Sequence, residues 1–231
     1  MCGRFVVALP TGELFETFSV VGPYMPVPRF NIAPTTGIPV VKLAEEGREI
    51  VEMRWGLIPS WAKPDAKLPL MINARAETVH TGGAFRSAFK SRRCIVPASG
   101  YYEWRASSFT PRTNAQKQPF YFRRRDGKPI AFAAVWEAGR LKDQVIPTVA
   151  TITTDPNADA ALVHDRMPVM LEREDFDRWL DPAPLTDEER AKFLAPRPVG
   201  ELEIYAVDKR VGSIRNDDPH LIEPIAKDTL L

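Results

Sequence analysis

Residues 120–136 read FYFRRRDGKPIAFAAVW, and the fold class turns on how this stretch is read. Two apolar, aromatic-containing runs flank Asp126-Gly127, a dipeptide suited to a tight turn, so the stretch reads as a β-hairpin. Outward from it, 145–153 is a β-branched run and 201–207 a later one. Residues 39–42 and 49–54 read as paired strands around 45–48, which holds the turn residue Gly47. Cys94, Ile95 and Val96 read as a core strand that Pro97 and Gly100 then re-aim. Helical patterns are fewer: 11–20 with Thr11 as its cap, 158–163, 173–180, and 187–194, where Thr186 and Glu189 have capping-box spacing. Strands outnumber helices and no β–α–β alternation occurs. The expected class is α+β, a single domain over 1–231 with a curved, mostly antiparallel, barrel-like sheet and a few peripheral helices. Residues 21–28, 106–116 and 195–200 read as surface loops inside that domain.

Composition narrows the function. The chain has 231 residues, 44% hydrophobic and 26% charged, which fits a folded globular protein and excludes a fibrous or disordered one. Its 22 prolines and 13 glycines favour turns and short strands over long helices. With 31 basic and 30 acidic residues the net charge is +1, so no global field draws the protein to nucleic acid. Any DNA-binding surface must come from local clustering. Two cysteines make no disulfide framework, and MCGRFVVALP lacks a basic leader followed by a long apolar run. No stretch approaches the roughly 18 apolar residues of a membrane span. A cytoplasmic protein, nucleoid-associated when on DNA, is expected, with no membrane contact.

Cys2 carries the most distinctive chemistry. Aminopeptidases remove an initiator methionine that precedes a small side chain, and Cys2 qualifies. Removal of Met1 leaves an α-amine and a thiol on adjacent carbons, with reference pKa values of about 7.7–8.0 and 8.5. The amine condenses with an aldehyde to an imine, and the thiol closes on the same carbon to give a thiazolidine. An internal cysteine has an amide nitrogen and cannot do this. Arg4 and Phe5 open a β-like run, FVVAL, that would tie the terminus into the sheet.

Three further segments supply polar partners. In MINARAETV (71–79) an extended backbone puts Asn73, Arg75 and Glu77 on one face and Ala74 and Ala76 on the other, although this segment taken alone reads better as a solvated edge strand. In RCIVPASGYYEWR (93–105) Glu103 is a carboxylate among aromatic neighbours, where a raised pKa and acid–base work are expected; a surface glutamate beside core aromatics is the bland alternative. Cys94 in the same segment belongs to the core. In VHDRMPVML (163–171) His164 sits on a loop after a helix, a usual place for working residues, and titrates near neutrality. His80 and His220 read as structural, and the basic triplet 123–125 as a solvated face.

Together these segments form a signature. MCGRF at the start, RFNIAP (29–34), RWGLIPSW (54–61), INARAET (72–78), RRCIVPASGYYEW (92–104) and HDRMPVML (164–171) closely resemble the SRAP (SOS response-associated peptidase) family of abasic-site processing proteins. Their order and spacing run from Met1 to about Asp218.

The resemblance implies an SRAP fold and specific roles. Cys2 is the nucleophile that cross-links to the ring-opened sugar aldehyde of an abasic site, with Asn73 positioning the groups around it. Glu103 is the general acid/base of imine formation and ring closure, and His164 assists sugar opening and proton transfer. Arg4, Asn31, Arg75 and Arg166 match positions that grip phosphates or line the site, and Pro34 and Trp61 match residues that stack on or wedge against bases. Some members carry a second aromatic after the tryptophan; Ala62 stands there here, which weakens the case for duplex wedging. The implied partner is single-stranded DNA containing abasic sites, bound by a monomer. Two rivals stay open: a thiol peptidase using Cys2, acting on its own leader, and a single-strand binding module in which Cys2 is inert. Strand cleavage as a lyase is a further conceivable side activity. Cys2, Cys94, His80 and His164 lack the short spacing of a zinc site, so no metal and no cofactor is expected.

Overall fold

The computed structural model describes residues 2–63, 66–105, 117–142 and 144–225. The loop expected at 106–116, and Met1 itself, lie outside these residues. The strands begin with β1 (Phe5–Val7), β2 (Val20–Val21), β3 (Arg29–Ile32), β4 (Gly37–Ala44) and β5 (Gly47–Trp55). Then come β6 (Asn73–Arg75), β7 (Arg93–Ala98), β8 (Gly100–Arg105) and β9 (Gln118–Arg124). The series ends with β10 (Ile130–Leu141), β11 (Gln144–Thr154), β12 (Met167–Pro168) and β13 (Leu202–Ala206). The helices are short: α1 (Thr11–Phe18), α2 (Arg86–Ser91), α3 (Ala158–Ala161), α4 (Phe176–Leu180) and α5 (Asp187–Phe193).

Part of the strand set closes on itself. β11, β10, β7, β4 and β5 pair antiparallel in that order. A parallel pairing of β5 with β11, Arg54 opposite Thr148 and Trp55 opposite Val149, completes the ring. Closure removes the open edges that a flat sheet would expose. A second, wholly antiparallel sheet has the order β13-β9-β8-β1-β3. The curved, mostly antiparallel, barrel-like architecture read from the sequence is present.

The hairpin reading of 120–136 is corrected. β9 pairs with β8 and β13, whereas β10 pairs with β7 and β11, so the two runs belong to different sheets. The turn itself forms: Gly127 N–H donates to the Arg124 carbonyl at 3.1 Å, and Gly127 takes the left-handed φ of 75° that favours glycine. Arg124 grips both oxygens of Asp126, at 3.0 and 2.8 Å. Because each strand already has a neighbour on both sides, the turn is a corner that carries the chain from one sheet into the other. The β4–β5 pairing and its turn match the expectation, with Ala44 opposite Gly47.

Helix ends differ in detail. α5 has its capping box, Thr186 and Glu189 bonding each other's backbone, a device worth about 1 kcal/mol. In α1, Thr11 is the first helical residue rather than the cap; Pro10 precedes it with no side-chain cap. Residues 173–180 split into a 3-10 turn, Arg173–Asp175, and α4. The six residues of α2 are too few to show a helical period, and the sequence reading passed over them.

One apolar cluster inside the fold bears on function. Phe5 meets Trp55 edge-on at 5.0 Å and Phe132 at 6.0 Å, and Tyr101 stacks on Phe122 at 4.6 Å. Each such ring removed from water contributes about 2–3 kcal/mol. Cys2 belongs to this cluster and is 2% exposed, and Cys94 is fully buried in it.

Candidate functional site

β1 draws the start of the chain into the sheet. Phe5 lies opposite Tyr101 of β8 and opposite Ile32 of β3, so β1 is flanked on both sides, and the Tyr102 amide donates to the Arg4 carbonyl at 3.0 Å. Cys2 is thereby held beside the start of β6. Asn73 Nδ2 donates to the Cys2 carbonyl at 2.9 Å. Burial pushes the Cys2 thiol well above the usual range, and the Glu103 carboxylate adds to that.

Asn73 is itself fixed from behind. β6 runs parallel to β11 with Asn73 opposite Thr151, and the Thr151 hydroxyl donates to Asn73 Oδ1 at 2.5 Å. An amide whose oxygen accepts one bond must present its NH2 elsewhere, here to Cys2. The alternation expected in 71–79 is visible in burial: Ala74 and Ala76 are inside and Arg75 and Glu77 are exposed. Thr151 is a site residue that the sequence reading missed, because a threonine in a β-branched run reads as ordinary strand.

Glu103 is 3% exposed, two residues along β8 from Tyr101, and burial pushes its carboxyl up to about 7. His164 Nε2 lies 3.7 Å from Glu103 Oε2. That is ion-pair reach but too long for a hydrogen bond. Asn157 caps α3 by accepting from the Ala160 amide at 2.9 Å, and the chain leaves the helix with the His164 amide bonded to the Ala160 carbonyl at 3.0 Å. Two groups contend for His164 Nδ1: the Arg166 amide and Asp165 Oδ1, both at 3.0 Å. The backbone N–H can only donate, and Asp165 is exposed to screening water. Nδ1 is therefore the acceptor and the neutral ring carries its proton on Nε2, toward Glu103. Burial holds the imidazole below its ordinary pKa. Burial thus favours the uncharged form of both partners.

The other residues singled out by sequence occupy different settings. Arg4 donates to Asn31 Oδ1 and to the Val211 carbonyl, both at 2.8 Å. Asn31 Nδ2 contacts the carbonyls of Val211, Ser213 and Asn216 at 3.2, 3.0 and 2.8 Å. Both side chains therefore tether 211–216 against β1 and β3. Arg166 forms a bidentate pair with Glu77, at 2.8 and 3.0 Å, and also reaches Asp155 and the Thr153 carbonyl, both at 2.7 Å. Arg75 is exposed at the end of β6, and Trp61 is 66% exposed. Pro34 is half-buried in the turn after β3, where the Thr35 amide bonds the Trp55 carbonyl at 2.8 Å. The structure brings Cys2, Asn73, Glu103 and His164 together.

A closed barrel whose second residue is drawn into the core beside an amide and a buried acid–histidine pair places this chain in a family. It matches the SOS response associated peptidase (SRAP) family over residues 1–214 and belongs to it. Over 228 residues, covering 96% of this chain and 99% of the relative, it is 34% identical to Abasic site processing protein YoqW of Bacillus subtilis. It is 28% identical to Abasic site processing protein YedK of Escherichia coli, covering 97% and 100% of the two chains. A crystal structure of a Bacteroides thetaiotaomicron protein superposes with a TM-score of 0.73 at 27% identity, covering 85% of each chain.

Proposed function

We propose that this protein captures abasic sites in single-stranded DNA by forming a thiazolidine between Cys2, freed of Met1, and the ring-opened sugar aldehyde. The observation that carries this reading is the Asn73–Cys2 bond at 2.9 Å beside a buried carboxyl with a pKa near 7. The names of the relatives, abasic site processing proteins, point to the same substrate.

The chemistry runs in balanced steps. The Cys2 amine attacks C1′ of the aldehyde, and a proton moves from nitrogen to oxygen to give a carbinolamine. Protonated Glu103 gives its proton to the departing hydroxyl, which leaves as water, and the iminium so formed returns its N–H proton to the Glu103 carboxylate to give the imine. Sγ then adds to the same carbon, the C=N electrons pass to nitrogen, and nitrogen takes the proton the thiol gives up. One water is lost overall. An acid with its pKa near ambient pH serves such a sequence best, with gains of roughly 10²–10⁴ in rate. The Cys2 thiol, held protonated by burial, does not compete while the amine attacks. His164, with Nε2 toward Glu103, relays protons to the sugar oxygen. Arg75 and Trp61, both exposed, offer the strand a phosphate contact and a stacking face.

The peptidase reading is less well supported. It requires a thiolate paired with an imidazolium oriented by Asn73, whereas the Asn73 amide is committed to the Cys2 carbonyl and Thr151. The test mixes the protein with a single-stranded oligonucleotide bearing one abasic site and runs a denaturing gel without reductant. A slow-migrating adduct that is absent with Cys2→Ala and on undamaged DNA supports capture. Its absence, with intact mass showing Met1 gone, discards the covalent reading.

A further inference from the structure

Tyr101 is buried, lies directly opposite Phe5 across β1 and β8, and shares a strand face with Glu103 two residues on. Its ring is fixed on two sides, stacked on Phe122 at 4.6 Å and edge-on to Phe132 at 6.0 Å. The phenol cannot swing out to water. Its oxygen is buried and has no hydrogen-bond partner among the described residues. Two other part-buried tyrosine hydroxyls do have one: Tyr102 donates to the Phe30 carbonyl at 2.8 Å and Tyr205 to the Ile222 carbonyl at 2.9 Å. A buried hydroxyl left without a partner is costly and calls for a reason. Cys2 packs in the same apolar cluster, with its carbonyl tied by Asn73.

We propose that the Tyr101 hydroxyl is a side-chain hydrogen-bond donor that receives the Cys2 sulfur as it takes on negative charge during closure of the thiazolidine ring. The inference rests on the covalent reading above and adds a residue to it. In the closing step the C–S bond forms, the imine electrons go to nitrogen and the thiol proton follows them; Tyr101 lends a hydrogen bond and transfers nothing. Burial first, then the charges of Cys2 and Glu103, push the phenol far up, so it stays a donor throughout the working pH range. The charged or titratable groups around the sulfur are Glu103 from β8, the N-terminal amine, which favours the thiolate, and, beyond Glu103, His164 and Asp165. Glu103 opposes a thiolate by like charge. The neutral imidazole brings no positive charge to offset it; the Arg4 backbone N–H already gives the sulfur one hydrogen bond, and the Tyr101 hydroxyl adds a donor from a side chain.

The test compares wild type with Tyr101→Phe on an oligonucleotide carrying one abasic site, across neutral and mildly alkaline pH. Adduct is scored without reductant for the closed ring and with borohydride for the imine. Closure is expected to slow about tenfold, the loss of one hydrogen bond to a charged group. Its rising limb is expected to move up by about one pH unit, because removing a donor to the thiolate raises the thiol pKa. Borohydride-trapped imine should form at the wild-type rate, and affinity for a strand with a tetrahydrofuran abasic analogue should be unchanged. The Tm should be equal or higher, since the lost hydroxyl had no partner. An unchanged closure rate and pH profile overturns the inference, as does a lower Tm or failure to fold, which would give the hydroxyl a structural bond. If wild type itself forms no adduct, the covalent reading falls and this inference with it.

Discussion

The Thr151 hydroxyl donates to Asn73 Oδ1 at 2.5 Å across the parallel pairing of β11 and β6, and so decides which way round the Asn73 amide lies. With that end fixed, Nδ2 is left to hold the Cys2 carbonyl at 2.9 Å. Thr151→Val keeps the shape and removes the bond. Adduct formation is expected to slow about tenfold, the loss of roughly 1–1.5 kcal/mol of orientation, with binding to a tetrahydrofuran-containing strand unchanged. Single-turnover gels measure this. A wild-type rate would mean that strand pairing alone orients Asn73.

Glu103 ties stability to pH. Its folded carboxyl is raised to about 7 by burial, against an unfolded value of about 4.3. The folded state therefore binds more protons across that window, and stability is full below it and falls as pH rises from about 4.3 through about 7. The loss is of the order of 1–3 kcal/mol. Glu103→Gln should flatten this stretch of the Tm–pH curve and leave the variant the more stable protein at alkaline pH. A wild-type curve with no decline there would place the charge of Glu103 in a solvated setting.

The same substitution separates chemistry from grip. Glu103→Gln is expected to slow cross-linking by about 10²-fold or more while changing strand affinity little. Parallel measurement of adduct rate and of binding to the tetrahydrofuran strand decides this. Weakened binding with a normal rate would make Glu103 structural.

Arg75 and Arg166 should behave oppositely. Exposed Arg75 is free to meet a phosphate, so Arg75→Ala should reduce the slope of log affinity against log salt by about 0.7. Arg166 is occupied by Glu77, Asp155 and the Thr153 carbonyl. Arg166→Ala should cost about 1 kcal/mol of stability, seen as a lowered Tm, because the Thr153 carbonyl loses its donor while the exposed Glu77 and Asp155 carboxylates return to water. Identical effects from the two variants would remove the distinction.

Much of the strand content was legible because strand periodicity is local: β4, β5 and β11 of the barrel and β13 of the second sheet stand close to where alternation and β-branching put them. The pairing was less so. Asp126-Gly127 announces a turn, but which strands lie beside β9 and β10 depends on β8, β13, β7 and β11, and nothing near the turn carries that information. At the site, Cys2, Asn73, Glu103 and His164 were nameable from their residue types and motif order. Thr151 was not, because its role exists only through a cross-strand hydrogen bond. Arg4 and Asn31 carry the same lesson: their bonds to 211–216 join segments far apart in the chain.

Intact mass of the protein mixed with a single-stranded abasic oligonucleotide, beside Cys2→Ala, tests the covalent claim most directly. Capture as a thiazolidine requires a species equal to protein without Met1 plus oligonucleotide less one water, stable to heat without reductant and absent in Cys2→Ala. A wild-type protein freed of Met1 that shows only its own mass, or an adduct that Cys2→Ala forms equally well, would contradict it.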